Sequence, residues 1–458
     1  MSEKTKIMTE GNPFPILLSF ALPLMAGNVF QLMYTFVDTA VVGKYLGVSA
    51  LAALGSVEYL NWLSFGIIGG LTQGFSIKMA QDFGARNEQS LKKAIGNSIV
   101  LSVLSSIVLL IAGFLAAKPI LRLMHTPEEI LPLSVLYIHI LFCGIPASFA
   151  YNLFAGLIRS LGNSKTPLHA MIMSSLLNIV LDFVFVLCFH WGIAGAAFAT
   201  IIAQTAAALF CFIYVIRISA ARFSRNDLKP DFKLCSYLFK LGLPMAIQNS
   251  IIAFGGMIVE VIVNSFGVAF IASYVAVTKL YGLLEIAATS FGFALMTYTG
   301  QNLGAKKIDR ISSGTWIGLV IGLSCSLVIS TTMIIFGKQV LSMFISGPQE
   351  LYEQVMQTAY FYLKIMCFCL PLLYILWLTR CVIQGLGNTF IPMVSGIAEF
   401  VMRTGSALLL PVFFASTGVL MAEVLAWLGA DFILVPGIIY MMHKMHIQYK
   451  HEFSEKNN

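Results

Sequence analysis

Carboxylate side chains stand inside apolar stretches of this sequence, where an unpaired charge is costly. Asp38 ends the uncharged run from Phe14 to Val37. Seven more carboxylates lie within long apolar segments, namely Glu58, Asp182, Glu260, Glu285, Glu399, Glu423 and Asp431. A charge at the centre of a bilayer costs about 2.5–3.5 kcal/mol on insertion scales. Each acid therefore needs a partner, a proton or a water-filled cavity, which indicates the binding of protons or cations.

The segment around Asp182, "SSLLNIVLDFVFV", offers the richest set of polar groups. Asn178 precedes Asp182 by four residues, so both side chains lie on one face of a helix. We expect Asp38 to reach them across the same half of the protein. Two carboxylates close together in a low dielectric cannot both ionise cheaply, so this pair predicts a proton site. The alternative is a sodium site at Asp38, Asn178 and Asp182. There the Asn178 carbonyl and the Thr200 hydroxyl would add oxygen ligands to the two carboxylates. We favour either function over a structural role in which Asn and Ser side chains satisfy the acids.

Two acids of the second half are candidates for a second site. Glu260 falls within one or two positions of Asp38 when the halves are aligned, and it has no basic residue nearby in sequence. Glu285 can face Lys279, Arg380 or a bound cation. The second-half candidates are therefore Glu260 and Glu285.

Glu399 and Arg403 stand four residues apart in one apolar segment. Side chains at this spacing are neighbours on a helix, so the two are predicted to form a structural ion pair. The acids Glu58, Glu423 and Asp431 lie nearer to segment ends or interfaces, and we do not choose them as site residues.

Four residues within two helical turns before Asp38 are aromatic, sulfur-containing or amide side chains: Phe30, Gln31, Met33 and Tyr34. Such residues can line an adaptable pocket for flat organic cations. Lipid contact or packing is the commoner role of Met and Phe, so this pocket is the weaker part of the prediction.

The composition requires that these residues be positioned by helices in a membrane. Hydrophobic residues make up 58% of the chain, charged residues 11%, and the mean hydropathy is +0.86, whereas soluble domains carry about 25% charge. A span needs about 20 apolar residues. Twelve such segments are predicted, near 15–38, 53–77, 94–117, 132–157, 168–188, 193–216, 241–264, 270–299, 313–336, 355–385, 390–413 and 418–441. The predicted fold class is all-α integral membrane, and no signal peptide is expected.

The distribution of Lys and Arg predicts the orientation of these spans. With both termini inside, twenty basic residues fall in inner segments and four in outer segments, which follows the positive-inside rule. The net charge of +7 thus reflects topology, and no nucleic-acid partner is predicted. The expected location is the plasma membrane of a bacterium, with both termini cytoplasmic.

The two halves of the chain resemble each other in sequence. "QDFGARN" (81–87) matches "QNLGAKK" (301–307), and "SLGNSKTP" (160–167) matches "GLGNTFIP" (385–392). Six spans followed by six insert with the same polarity, which predicts two six-helix lobes, related by an axis along the membrane normal, with a cleft between them.

The repeat sets the predicted domain boundaries and two predicted kinks. Pro23 and Pro244 occupy matching places inside spans, where proline bends a helix. The predicted N-terminal lobe comprises residues 1–216, and a linker on the inner surface comprises 217–240. The predicted C-terminal lobe comprises 241–443, and a tail comprises 444–458.

The sequence carries no enzyme motif that stands out. It contains no Walker loop, no H-E-x-x-H and no G-x-S-x-G. Its eight Cys show no disulfide or zinc spacing. We therefore predict a transporter that is not an enzyme, with no cofactor, no metal apart from possible sodium, and no direct use of ATP.

The stretch "FALPLMAGNVFQLMYTFVDTAVVGKYLGVSALAALGS" (20–56), with "GQNLGA" (300–305) and "RSLGNSKTP" (159–167), resembles the multidrug and toxic compound extrusion (MATE) family. The resemblance covers nearly the whole chain. It implies a V-shaped pair of six-helix bundles and antiport of organic cations against protons or sodium. It also implies membrane lipid and small cationic substrates as partners, and a monomer.

Within the family, the chain resembles the DNA-damage-inducible-type bacterial branch. There the coupling site consists of a first-span Asp, a fifth-span Asn and Asp, and a sixth-span Thr, which match Asp38, Asn178, Asp182 and Thr200. In another branch of the family the coupling acids lie on the seventh and tenth spans. Glu260 matches the seventh-span acid, but the tenth span of this chain has no Asp or Glu. Coupling in the first lobe is therefore favoured. The alternative function is a flippase of lipid-linked precursors, whose cavity should be more basic.

Overall fold

The computed structural model describes residues 5–345 and 348–456, and these residues form α-helices joined by short turns. The first four residues of the predicted N-terminal lobe and the last two of the predicted tail lie outside the described residues. No strand occurs in the described ranges. Their α-helices are α1 Pro13–Leu46, α2 Val48–Gly84, α3 Glu88–Leu123, α4 Leu131–Cys143, α5 Ile145–Ser160, α6 Lys165–Asp182, α7 Gly192–Ile216, α8 Phe232–Val263, α9 Val268–Gly304, α10 Ile308–Leu341, α11 Gln349–Gly385, α12 Phe390–Phe414, α13 Ser416–Leu420 and α14 Ala422–Lys456.

Most of these helices are long and apolar enough to cross a membrane. Within the described residues, 11 helices pass this test, and α4 with α5 forms one more span that is bent by 45°. The bend lies at Gly144, where α4 ends and α5 begins, with Pro146 in the first turn of α5. Proline is well tolerated there because the first amides of a helix have no intrahelical partner. The predicted all-α membrane fold is confirmed.

The internal repeat is visible in the backbone. Helices α2 and α9 both contain 37 residues and begin 220 residues apart, at Val48 and Val268. Each follows a glycine with positive φ, Gly47 at 84° and Gly267 at 86°. Equivalent positions thus adopt the same rare conformation, which glycine reaches without steric cost. The matching turns confirm the predicted two-lobe repeat.

The chain divides into two compact units. Unit 1 comprises Met1–Met8 and Leu22–Ala246, and unit 2 comprises Thr9–Ala21 and Ile247–Asn458. In unit 2, Lys307 Nζ donates to Thr9 O at 2.8 Å, so the start of α1 is tied to the turn between α9 and α10. The described units therefore each contain one piece from the opposite half of the sequence.

Two helices, α1 and α8, contain residues of both units. The division crosses each helix within two residues of a proline, Pro23 in α1 and Pro244 in α8. Proline removes an amide donor and its ring clashes with the preceding turn, so a helix bends most easily there. The two predicted kink residues thus lie where the chain passes from one unit to the other.

Glycines of α2 allow close packing against the first part of α8 within unit 1. A Cβ atom at Gly74 would clash with the backbone of Gly242, and one at Gly70 would clash with the backbone of Ala246. Small residues that let helix backbones approach are the usual basis of helix association in membranes. This contact holds the start of α8 in unit 1.

We expect Gly74→Val to destabilise unit 1, because its side chain would overlap the Gly242 backbone, which cannot move aside cheaply. Overpacking typically costs about 1–3 kcal/mol. The matched control is Gly55→Val on the same helix, since nothing lies within 4 Å of a Cβ there. Thermal unfolding in detergent should show a lower midpoint for Gly74→Val alone, and equal midpoints for the two variants would contradict this packing.

Candidate functional site

Four predicted site residues meet inside unit 1, on three helices. Asp38 lies on α1, Asn178 and Asp182 on α6, and Thr200 on α7. Asp182 is 0% exposed and Asn178 is 2% exposed, whereas Asp38 is half-buried. The spacing of four residues on α6 therefore does bring the amide and the carboxylate to one buried face.

Helices α6 and α7 are joined along this face by hydrogen bonds. One turn before Asn178, Ser174 Oγ donates to Ala203 O at 2.9 Å. Asn178 Nδ2 lies 3.5 Å from Thr200 Oγ1, a long contact. The Thr200 hydroxyl itself donates to Ala196 O at 3.1 Å. These bonds fix the rotation of α6 and so direct Asp182 toward α1.

The acidic side chains of the site lack hydrogen-bond donors. In the described part of the chain, Asp38 Oδ1, Asn178 Oδ1 and both carboxylate oxygens of Asp182 are buried without a partner. The Asp38 and Asp182 carboxylates are placed so that one side-chain hydrogen bond can join them. An ionised carboxylate only accepts, so that bond requires one proton on the pair. Chemically, this arrangement can accommodate a proton or a cation.

Two tyrosines flank the acid pair. Tyr34 on α1 and Tyr137 on α4 both interact electrostatically with Asp38 and Asp182. Tyr34 is thus a residue of the predicted substrate pocket that lies beside the acids. The other members of that predicted pocket, Phe30, Gln31 and Met33, are exposed side chains of α1.

A π-helical segment, Phe183–Cys188, begins directly after Asp182. Such segments are rare and frequently mark functional sites, because the wider turn shifts the side chains that follow. It ends in a tight turn where Trp191 N donates to Phe185 O at 2.9 Å. The Phe185 and Trp191 rings stack with centroids 4.9 Å apart. Aromatic packing therefore stabilises the backbone next to Asp182.

Unit 2 contains a separate cluster of buried charges. Glu399 accepts from Arg380 Nη2 at 2.7 Å and from Arg403 Nη2 at 3.0 Å. Arg403 Nη2 also donates to Glu423 Oε2 at 2.9 Å. The predicted pair of Glu399 and Arg403 is thus part of a larger network on α11, α12 and α14.

The two second-half acid candidates are in different surroundings. Glu285 on α9 interacts with the cluster through Glu399, Glu423 and Arg403, and its carboxylate is placed to accept a hydrogen bond from Trp377. Glu260 is an exposed residue of α8 that interacts electrostatically with Tyr274. The structure therefore places Glu285 beside the buried arginines.

Sequence reasoning missed three features of these sites. It gave Arg380 no firm partner, it set aside Glu423, and it did not foresee the π-helical segment. The available signal for Arg380 was its position inside a long apolar segment, where a charge requires a partner. The π-helix has no comparable signal in the sequence.

The chain was compared with known proteins and structures. The family model described as MatE matches residues 23–184 and 244–409. The chain belongs to the MatE family. The two matched ranges correspond to the two halves of the repeat, and the predicted family is confirmed.

Relatives of this MatE-family chain span most of its length. It is 32% identical over 396 residues to the probable multidrug resistance protein YpnP of Bacillus subtilis, covering 86% of this chain and 87% of the relative. It is also 32% identical over 345 residues to the probable multidrug resistance protein YoeA of the same organism, covering 73% and 74%. A crystal structure of MATE in complex with MaL6 superposes with a TM-score of 0.90 at 20% identity, covering 97% of this chain and 100% of that one. That likeness shows the two-lobe fold.

We expect Glu399→Gln to destabilise unit 2 of this MatE-family chain. The amide leaves two buried arginines without one of their counter-charges, and breaking a buried ion pair costs about 3–5 kcal/mol. Glu353→Gln, an exposed acid on α11, is the control. Thermal unfolding in detergent should separate the two variants, and a Glu399→Gln midpoint equal to that of the wild type would show that the network contributes little.

Proposed function

We propose that the protein is a secondary active antiporter that exports organic cations in exchange for protons bound at Asp38 and Asp182. The observation that carries this proposal is the pair of carboxylates at Asp38 and Asp182, three of whose four oxygens are buried without a donor in the described residues. A proton, a cation or a cationic substrate would satisfy such a pair and reduce its negative charge. Transport is supported by the family and by the names of relatives that are probable multidrug resistance proteins.

The exchange follows from competition for one set of charges. A proton bound between Asp38 and Asp182 reduces the negative charge of the site and weakens its attraction for a cationic substrate. When the proton leaves, the two like charges repel, and a cation relieves that repulsion. Because the same carboxylates bind either charge, the proton and the substrate exclude each other.

Helix α1 links this site to a bend. Asp38 and Pro23 lie on the same helix, 15 residues or about four turns apart. A proton shared by Asp38 and Asp182 removes the repulsion between them and allows a hydrogen bond to join α1 to α6. We infer that α1 bends at Pro23 when the proton is bound, which couples the charge to alternating access.

Cationic rather than phosphate-bearing cargo fits the buried charges. The described residues of unit 1 place two carboxylates, an amide and a hydroxyl at the site, and no arginine or lysine acts on the pair. A flippase for lipid-linked precursors needs basic groups for the phosphates of its cargo. We therefore favour export of organic cations over the flippase alternative.

We expect Asp182→Asn to abolish coupled exchange, because the pair then lacks one of the two oxygens that share the proton. Purified protein in liposomes should release protons when ethidium is added on the substrate side. The exchange rate of the variant should fall at least about tenfold, equivalent to about 1.4 kcal/mol. The matched control is Glu58→Gln, an exposed acid of α2 in the same unit, which should exchange like the wild type.

The sodium dependence of the same assay distinguishes the ions. Exchange that is unchanged without sodium supports protons. Exchange that requires sodium would instead support sodium as the coupling ion, bound at Asp38, Asn178 and Asp182. If Asp182→Asn exchanges as fast as Glu58→Gln, the acid pair is structural and the proposal is wrong.

We also propose that both termini lie in the cytoplasm, because twenty basic residues fall in segments on that side and four on the other. A green fluorescent protein folds in the cytoplasm but poorly after export. Fused to the C-terminus of the full chain, it should therefore fluoresce. Alkaline phosphatase at the same position should be inactive. The reverse pattern would invert the assigned topology.

A further inference from the structure

The buried charge cluster of unit 2 contains more acids than bases. Among the described residues its members are the carboxylates Glu285, Glu399, Glu423 and Asp431 and the guanidinium groups Arg380 and Arg403. Four acids thus face two bases, which leaves an excess of two negative charges if all groups are ionised. Burying uncompensated charge costs several kcal/mol per ion.

The ion pairs of this cluster identify the acids that remain uncompensated. Glu399 binds both arginines, and Glu423 binds Arg403. Neither Glu285 nor Asp431 forms a salt bridge in the described residues. Glu285 has the Trp377 indole as a hydrogen-bond donor.

Asp431 is the most isolated acid of the cluster. It is 8% exposed, and both of its carboxylate oxygens are buried without a hydrogen-bond partner in the described part of the chain. Arg380 acts on it electrostatically from α11 and Glu399 from α12. Arg380 Nε is likewise buried without an acceptor. An unsatisfied acid and an unsatisfied donor therefore lie near each other without being bonded.

Two further helices packed against α14, α10 and α13, do not compensate Asp431. Helix α13 has no charged residue, and the charged residues of α10 lie in its first and last turns. Nor does any group of three His, Cys, Asp or Glu side chains in the described residues form a metal site. A proton needs neither extra ligands nor space, so it is the charge that fits.

We propose that Asp431 is a second proton-binding residue, in unit 2, which takes up and releases its proton independently of the pair formed by Asp38 and Asp182. With the proton bound, Asp431 is neutral and Arg380 stays with Glu399. When the proton leaves, the Asp431 carboxylate can accept a hydrogen bond from Arg380 Nε, which has no other acceptor. Asp431 then competes with Glu399 for the Arg380 guanidinium. Loss of the proton thus pulls α14 toward α11 and weakens the bond between α11 and α12.

The proposal does not require transport by the first site, so it is tested by proton binding rather than by activity. Infrared difference spectra of the full chain in detergent, recorded between acid and alkaline pH, distinguish a protonated carboxylic acid from a carboxylate. We expect the wild type to lose a buried carboxylic-acid band on alkalinisation, and Asp431→Asn to lack that band. The matched control is Asp309→Asn, whose side chain is 87% exposed in the same unit, and which should keep it.

Two further spectra make the result decisive. Asp182→Asn should remove a different band, and the Asp182→Asn, Asp431→Asn double variant should lack both. Isotopic labelling of aspartate separates Asp from Glu bands. If Asp431→Asn does not fold, a labelled wild type whose only Asp band is the one that Asp182→Asn removes would contradict the proposal. A wild-type band that persists at alkaline pH, or a spectrum of Asp431→Asn identical to that of the wild type, would overturn the proposal.

Discussion

The need to neutralise buried carboxylates governs both units of this protein. A hydrocarbon environment supplies no water to stabilise an ionised acid, so the protein must supply a partner or the acid must bind a proton. In its candidate site, unit 1 places the half-buried Asp38 and the buried Asp182 together with an amide and a hydroxyl. Unit 2 gathers four acids around two buried arginines; two of the acids are buried and two are half-buried. The same constraint thus produces a responsive site in one unit and a largely compensated network in the other.

The difference between the units has a consequence for mechanism. Among the described residues of unit 1, no arginine or lysine acts on the acid pair, so no fixed positive charge compensates it. In unit 2 the arginines hold Glu399 and Glu423 in ion pairs, which makes most of the cluster a rigid connection between α11, α12 and α14. Asp431 is the member that this connection leaves unsatisfied.

Helix continuity lets a local charge change act over a distance. Helices α1 and α8 each run through the division between the units, close to Pro23 and Pro244. A long helix transmits movement because its backbone bonds are satisfied internally, and a proline locates the bend at one turn. Asp38 lies on one of these two helices, which places the proposed proton site on a helix that contains a proline.

The sequence by itself determined the features that depend on local pattern. Hydropathy gave the membrane fold, matching motifs gave the repeat, and the quoted stretches gave the family. Spacing of four residues on one helix put Asn178 beside Asp182, and Glu399 beside Arg403. These predictions succeed because helical periodicity and apolar length are properties of a short segment.

Only the tertiary structure decided which side chains meet between helices. Arg380 and Glu399 are 19 residues apart, on α11 and α12, and their bond depends on how far each helix is rotated. The bond between Arg403 on α12 and Glu423 on α14 depends on helix rotation in the same way. So does the position of Asp431, whose carboxylate has no hydrogen-bond partner among the described residues. The π-helical turns after Asp182 likewise had no signal in the sequence. Rotation and packing are set by many distant residues together, and no local pattern encodes them.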